Sequence, residues 1–103
     1  MIIRLWHGRI AKSNYEAYTK FMQERAAPDY NSVDGNLACY FLRRLDDNVA
    51  HFLLITHWES MEAVKAFAGP HPETAKYYPE DDEFQLEKEK TSQLYEVFYE
   101  AVT

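Results

Sequence analysis

The stretch Leu37–Trp58 reads LACYFLRRLDDNVAHFLLITHW. Two runs rich in β-branched and aromatic residues flank the polar triplet Asp46-Asp47-Asn48, and neither shows the 3.6-residue apolar spacing of a helix. The stretch therefore predicts a hairpin of two long antiparallel strands. In the first arm Leu37, Cys39, Phe41 and Leu45 share one face, and Ala38, Tyr40 and Leu42 share the other. In the second arm Phe52, Leu54 and Trp58 oppose Leu53 and Ile55. An antiparallel sheet with one wet face alternates apolar with polar side chains. This hairpin does not, so both of its faces need cover.

Before the hairpin, residues 2–9 (IIRLWHGR) read as a strand with Ile3, Leu5 and His7 on one face and Ile2, Arg4 and Trp6 on the other. Ser13 and Glu16 then have the spacing of a capping box, in which each side chain accepts from the other residue's N–H. The helix they are expected to open places Tyr15, Tyr18, Phe21, Met22 and Arg25 on one stripe, and Pro28 interrupts or kinks it. Asp34-Gly35-Asn36 supplies a turn into the hairpin. After Trp58, Ser60 is a candidate N-cap for a helix that turns Val64, Phe67 and Ala68 inward and closes at Gly69-Pro70. A third, short helix is expected over residues 72–78, bounded by Pro72 and Pro79. The last strand is read from Leu94 to Val102.

This order, β-α-β-β-α-(α)-β, predicts an α+β fold. It is the ferredoxin-like βαββαβ arrangement with a four-stranded antiparallel sheet, in one domain spanning residues 1–103. Two helices cover one sheet face only. An apolar second face of that size is rare on a monomer, and a second copy is the simplest cover, so the pattern predicts a homodimer through the sheet face.

Composition narrows the function. Seventeen acidic residues against eleven basic ones give a net charge of −6, and the only basic cluster is Arg43-Arg44. Such a surface repels phosphates, which sets nucleic-acid binding aside. No stretch approaches the roughly 20 apolar residues of a membrane span. The opening MIIRLWH lacks the basic and apolar regions of a secretory leader, so a cytoplasmic location is expected. Cys39 reads as a small strand residue rather than a nucleophile. Glu80-Asp81-Asp82-Glu83 lacks the spacing of a calcium loop and reads as a solvated turn, and no histidine, cysteine and carboxylate pattern completes a zinc set.

Three segments, IIRLWHGR, HWESMEAVKAF and GPHPETAKYYPEDDEF, resemble the antibiotic biosynthesis monooxygenase-like family of the dimeric α+β barrel superfamily. The resemblance covers nearly the whole chain and agrees with the order of elements. It implies a pocket in each subunit between sheet and helices. It also implies one of two chemistries: oxidation of a small aromatic or quinone-like compound with no metal or flavin cofactor, or haem degradation. Without a cofactor the substrate itself donates the electrons, so the site must favour its phenolate, exclude water and admit oxygen. By this resemblance His7 is the expected proton acceptor and Tyr77 the expected donor. Tyr18, Phe67, His71 and Tyr78 are expected to contact the substrate, with Trp6 nearby.

Haem-degrading members of the superfamily carry an asparagine, a tryptophan and a histidine where matching places His7, Phe67 and Tyr77. All three differ, so the resemblance points away from haem. The alternative to an oxygenase is a catalytically silent, ligand-binding or stress-associated homodimer. In that reading the histidines and tyrosines only satisfy hydrogen bonds. An open cavity reaching His7 and Tyr77 would favour chemistry, and one filled by Tyr18 and Phe67 would favour the silent dimer.

Overall fold

The computed structural model describes residues 1–103. The hairpin forms its centre: β2 (Asn36–Asp46) and β3 (Val49–Trp58) pair antiparallel from Asp46 opposite Val49 to Tyr40 opposite Ile55, with a bulge between Asn36 and Ala38. β1 (Ile2–Ala11) lies on the other side of β3, in register from Ile2 opposite Trp58 to Ala11 opposite Val49. The lane beside β1 holds two short pieces, of which only the second overlaps the expected final strand. β4 (Glu87–Lys88) pairs with Gly8 and Arg9, and β5 (Gln93–Glu96) pairs with Ile2–Leu5. The lane order is β2-β3-β1-β4 with β5 also on β1, the antiparallel order of the ferredoxin-like fold.

The helical cover follows the expected path with one local change. α1 (Tyr15–Phe21) runs through a π-helical stretch, Met22–Ala26, into α2 (Ala27–Asn31). Pro28 accounts for this. It has no N–H to return to the carbonyl four residues back, and its ring crowds that carbonyl, so the preceding turn widens and the Ala27 N–H reaches Met22 O. Ser13 does not cap the helix. It lies in a 3₁₀ turn, Lys12–Asn14, drawn in by a bond from Lys12 N–H to Asn48 O (2.9 Å), while the Asn14 amide donates to Phe84 O (3.3 Å).

α3 (Met61–Ala68) does begin as predicted. Ser60 is extended, and its hydroxyl accepts from the Ala63 N–H at 3.2 Å. Gly69, at φ +95°, ends the helix in a conformation that costs a side chain but not glycine. Ser60→Ala is expected to cost about 1 kcal/mol. Urea unfolding would show it as a lower midpoint at unchanged slope.

Residues 72–78 are not a helix. Thr74 bridges Thr91, Ala75 N–H donates to Lys90 O, and Ser92 N–H donates to Glu73 O, so donors a helix would need are spent across the chain. Pro79 opens a 3₁₀ turn, Pro79–Asp82, instead of ending a helix. The last strand also stops earlier than predicted. Glu96 sits opposite Ile2, where β1 begins, and beyond it only Val97 N–H finds a sheet partner, Met1 O. The tail that follows leaves Phe98 96% exposed.

Even-numbered positions of β1 and β3 face the helices: Trp6, Ile10, Ala50, Phe52, Leu54 and Trp58 pack against Tyr18, Met22, Tyr30, Val64 and Phe67 in one core. The opposite face, with Leu5, Leu53, Ile55, Tyr40 and Leu42, has no cover within the subunit, and Tyr40 is 54% exposed. No helix is long and apolar enough to cross a membrane.

Candidate functional site

Strand alternation divides the expected site residues between two faces. Trp6 points to the helices and is 3% exposed, so His7 points to the outer face. There His7 Nε2 lies 3.1 Å from His51 Nδ1, the two rings stack at 5.3 Å, and His7 Nδ1 pairs with the Glu89 carboxylate. An open cavity of about 520 Å³ between β1, β3 and β2 is lined by His7, Leu42, Arg44, His51 and Leu53. Partial desolvation, then the charges of Arg44 and His7, hold the His51 imidazole below its usual range. His57 also faces outward, 5.7 Å from the Tyr40 ring.

Tyr77 stands on the other side of the sheet edge. Its ring is 5.9 Å from Trp6, and its hydroxyl donates to the carbonyl of Glu89, the residue whose carboxylate meets His7. The expected acceptor and donor thus share Glu89 but not a pocket. This corrects the expectation that His7 enters the space between sheet and helices. His71 is exposed on the loop after α3 and reaches none of the other candidates; its carbonyl accepts from Thr74 N–H.

Tyr18, Phe67 and Tyr78 do lie on the helix side, where they are packed as core. Tyr18 is fully buried, edge-on to Phe52 and Phe84, and its hydroxyl donates to Asp81 Oδ1 at 2.8 Å. Asp81, 1% exposed, also accepts from Tyr78 N–H at 2.8 Å, so this carboxylate fastens the Pro79–Asp82 turn to α1. Four tyrosines of this side, Tyr18, Tyr30, Tyr77 and Tyr78, have hydroxyls pushed above the usual range, in each case first by burial. They remain neutral donors at physiological pH.

The sequence reading missed a residue at the centre of this side. Arg4, 1% exposed, lies on β1 opposite Thr56 and Leu94, with its guanidinium 5.6 Å from the Phe67 ring centre. Its Nη2 makes one long bond to Thr74 O (3.4 Å), while Nε and Nη1 have no acceptor. The buried indole N–H of Trp6 also has none. Arg4 opposes the effect of burial on the Tyr30 and Tyr77 hydroxyls, so these groups share one neighbourhood beneath residues 69–78. A signal was present: Arg4 alternates with Trp6, and whichever face is core takes both.

The helix side does not fit haem. It holds no histidine, the Tyr77 hydroxyl is engaged, and Tyr18, Trp58 and Phe67 occupy the interior. No group of three or more histidine, cysteine or acidic side chains gathers to hold a metal ion.

No protein-family model matches the sequence, and no curated protein matches it significantly. Solved structures do match the fold. A protein of Deinococcus radiodurans, described as a candidate antibiotic biosynthesis monooxygenase, superposes with a TM-score of 0.65 at 19% identity over 100% of this chain and 97% of its own. One of Bacillus cereus with the same description gives 0.67 at 13% identity, over 100% and 96%. The haem degrader MhuD of Mycobacterium tuberculosis, with two haems in its active site, gives 0.63 at 20% identity, over 99% and 100%. Along essentially its whole length, then, the chain has the ferredoxin-like α+β fold of the antibiotic biosynthesis monooxygenases and of MhuD.

Proposed function

We propose that this protein is a homodimeric monooxygenase that takes a small aromatic or quinone-like compound into the helix side of its sheet, beneath residues 69–78. The observation that carries this reading is the unused hydrogen-bonding capacity there. The Trp6 N–H is buried without an acceptor, beside the Tyr77 ring. A buried donor left unpaired costs about 1–3 kcal/mol, which a ligand oxygen would recover. Phe67, Tyr30 and Trp6 supply aromatic walls.

The reaction that suits such a wall needs no cofactor. A ring C–H para to a phenolate becomes C=O while the phenolate becomes the second carbonyl of a quinone, one atom of dioxygen entering the new carbonyl and the other leaving as water, with all four electrons drawn from the substrate. Tyr77 is the proposed donor to a substrate oxygen, releasing Glu89 O as it turns. Tyr77→Phe is expected to lower kcat/KM about a hundredfold. His7, on the outer face, is not assigned the proton-acceptor role on the helix side.

The homodimer rests on the bare outer face and on the exposed tail beyond Glu96, whose Phe98 and Tyr99 have no partner in their own subunit. Two copies face to face about a two-fold axis would bury both.

A second reading, a ligand-binding dimer without chemistry, is favoured by the filled interior at Tyr18 and Phe67. Oxygen uptake separates the two. The purified protein, given hydroxylated naphthalenes and anthracenes without added metal, is expected to consume oxygen and place one atom of labelled dioxygen in the product. Ligand binding without uptake across the panel would favour the silent dimer.

A further inference from the structure

We propose that Arg4 is the receptor for a negatively charged oxygen on the ligand, so that the compound this protein takes is an aromatic oxyanion, a carboxylate or a phenolate. The proposal deepens the reading above, since it rests on the ligand entering beneath residues 69–78.

The chain has five arginines. Four of them are paired with carboxylates: Arg9 with Glu87, Arg25 with Asp29 and Glu80, Arg43 with Glu16, and Arg44 with Asp46. All four sit where water would have solvated them in any case. The fifth, Arg4, is buried to 1% and has no carboxylate at all. This is the reverse of what electrostatics favours, because a buried charge is tolerated when it is paired and fully hydrogen-bonded. Acidic residues are not scarce in this chain, and one, Asp81, is itself buried on the helix side. Its two carboxylate oxygens are taken by the Tyr18 hydroxyl and the Tyr78 N–H. The protein therefore keeps a carboxyl group and a guanidinium in one interior without joining them.

The surroundings of Arg4 suit an external partner. A guanidinium presents five N–H donors in a planar fork, and here only one is used, at the long distance of 3.4 Å to Thr74 O. Nε and Nη1 are the unused ones; their N–H bonds diverge on either side of the fork, so each is open to a single ligand oxygen. A second cation stands close by. Lys76 Nζ lies 4.0 Å from the Phe67 ring centre and donates to Phe67 O, and it too has no carboxylate partner. Phe67 is thus flanked by two unneutralised cations in a chain whose net charge is −6. Its ring, with Tyr30 and Tyr77, would take the aromatic part of a ligand whose oxygen faces Arg4. A nearby cation also lowers the pKa of a phenol by about 1–3 units, so Arg4 would select the electron-rich phenolate that cofactor-free oxidation requires.

The test compares naphthoate and hydroxynaphthoate with neutral methylnaphthalene, by calorimetry near neutral pH, on the full chain and on Arg4→Met. The wild type is expected to bind the anions about 10- to 100-fold more tightly than the neutral hydrocarbon. Arg4→Met is expected to bind all three alike and to melt at a higher temperature, because an unpaired buried charge has been replaced by an apolar group of similar length. Naphthol, titrated across its own ionisation, separates the two oxyanions: binding that strengthens as it ionises assigns the phenolate, and binding that stays weak assigns the carboxylate. Should Arg4→Met not fold, Arg4→Lys takes its place and is expected to retain the anion preference at reduced strength. Equal binding of charged and neutral probes by the wild type, or a preference that survives Arg4→Met, would overturn the proposal. So would failure of every probe to bind. Oxygen uptake on the hydroxylated naphthalenes and anthracenes would leave the oxygenase reading standing after any of these, so the two readings fail separately.

Discussion

An Ile55→Asp variant is expected to sediment as a monomer at concentrations where the wild type is expected to sediment as the proposed dimer. Ile55 lies near the middle of the uncovered sheet face, directly opposite Leu5 on β1 and Tyr40 on β2, with Leu53 and His57 on either side along β3. If two copies close face to face, the two-fold axis places the substitution twice in the same interface. Each aspartate would then lose its water with no cation within reach, since the basic residues of this face, Arg44 and Arg9, sit at its His7 end. An uncompensated buried charge costs about 3–5 kcal/mol, so the dissociation constant should rise a thousandfold or more. A Ser substitution at Tyr95, nearer the edge, should weaken the dimer much less. Unchanged sedimentation of Ile55→Asp would place this face outside any subunit contact.

Asp81→Ala is expected to be among the most destabilising single changes within the subunit. The side chain is 1% exposed and accepts both the Tyr18 hydroxyl and the Tyr78 N–H at 2.8 Å. Truncation leaves two buried donors unpaired, at about 1–3 kcal/mol each, and opens a small cavity besides. For a chain of this size a loss near 3 kcal/mol lowers Tm by about 10–20 °C. Tyr18→Phe removes only one of the two bonds and leaves the carboxylate tied to the backbone, so its cost should be smaller.

The same contact sets an alkaline limit. The Tyr18 hydroxyl is pushed up by burial and then by Asp81, and burial likewise raises Tyr30, Tyr77 and Tyr78. A folded-state pKa above the unfolded value gives stability that is complete below the unfolded pKa of about 10 and is lost as pH rises past it, because only the unfolded chain can then release these protons. Denaturant midpoints should therefore be level through neutral pH and fall above about pH 10. A midpoint that rises in that range would contradict the burial of these hydroxyls.

Much of the fold was legible because local and global signals agree. The hairpin from Leu37 to Trp58 carries its turn, its strand composition and its period within 22 residues, and Ser60 has both a helix to start and a strand to leave. The Ser13 box failed because the Lys12 N–H is claimed by Asn48, a residue of the hairpin turn that local spacing cannot see. Residues 72–78 failed for the same reason: their backbone pairs with residues 90–92, and prolines at 70, 72 and 79 mark irregular structure as readily as helix boundaries.

The site was harder to read than the fold because the sheet is apolar on both sides. With Leu5 and Trp6 equally at home in a core, alternation alone does not say which of His7 and Arg4 is covered by helices. The His7 assignment came from matching along the sequence, and a one-residue change of parity moves a strand side chain to the opposite face. Arg4 was on the same face as Trp6 from the start, and its lack of an acidic partner appears only once distances are known.

A crystal structure of the protein soaked with hydroxynaphthoate shows directly which face of the sheet takes the ligand. Density is expected beneath residues 69–78, with the ring against Phe67 and Tyr30, a carboxylate or phenolate oxygen on Arg4 Nε or Nη1, and Tyr77 turned from Glu89 O toward the ligand. Density seated instead on the outer face between His7 and His51, with Arg4 still unbonded in a closed interior, would contradict the helix-side reading.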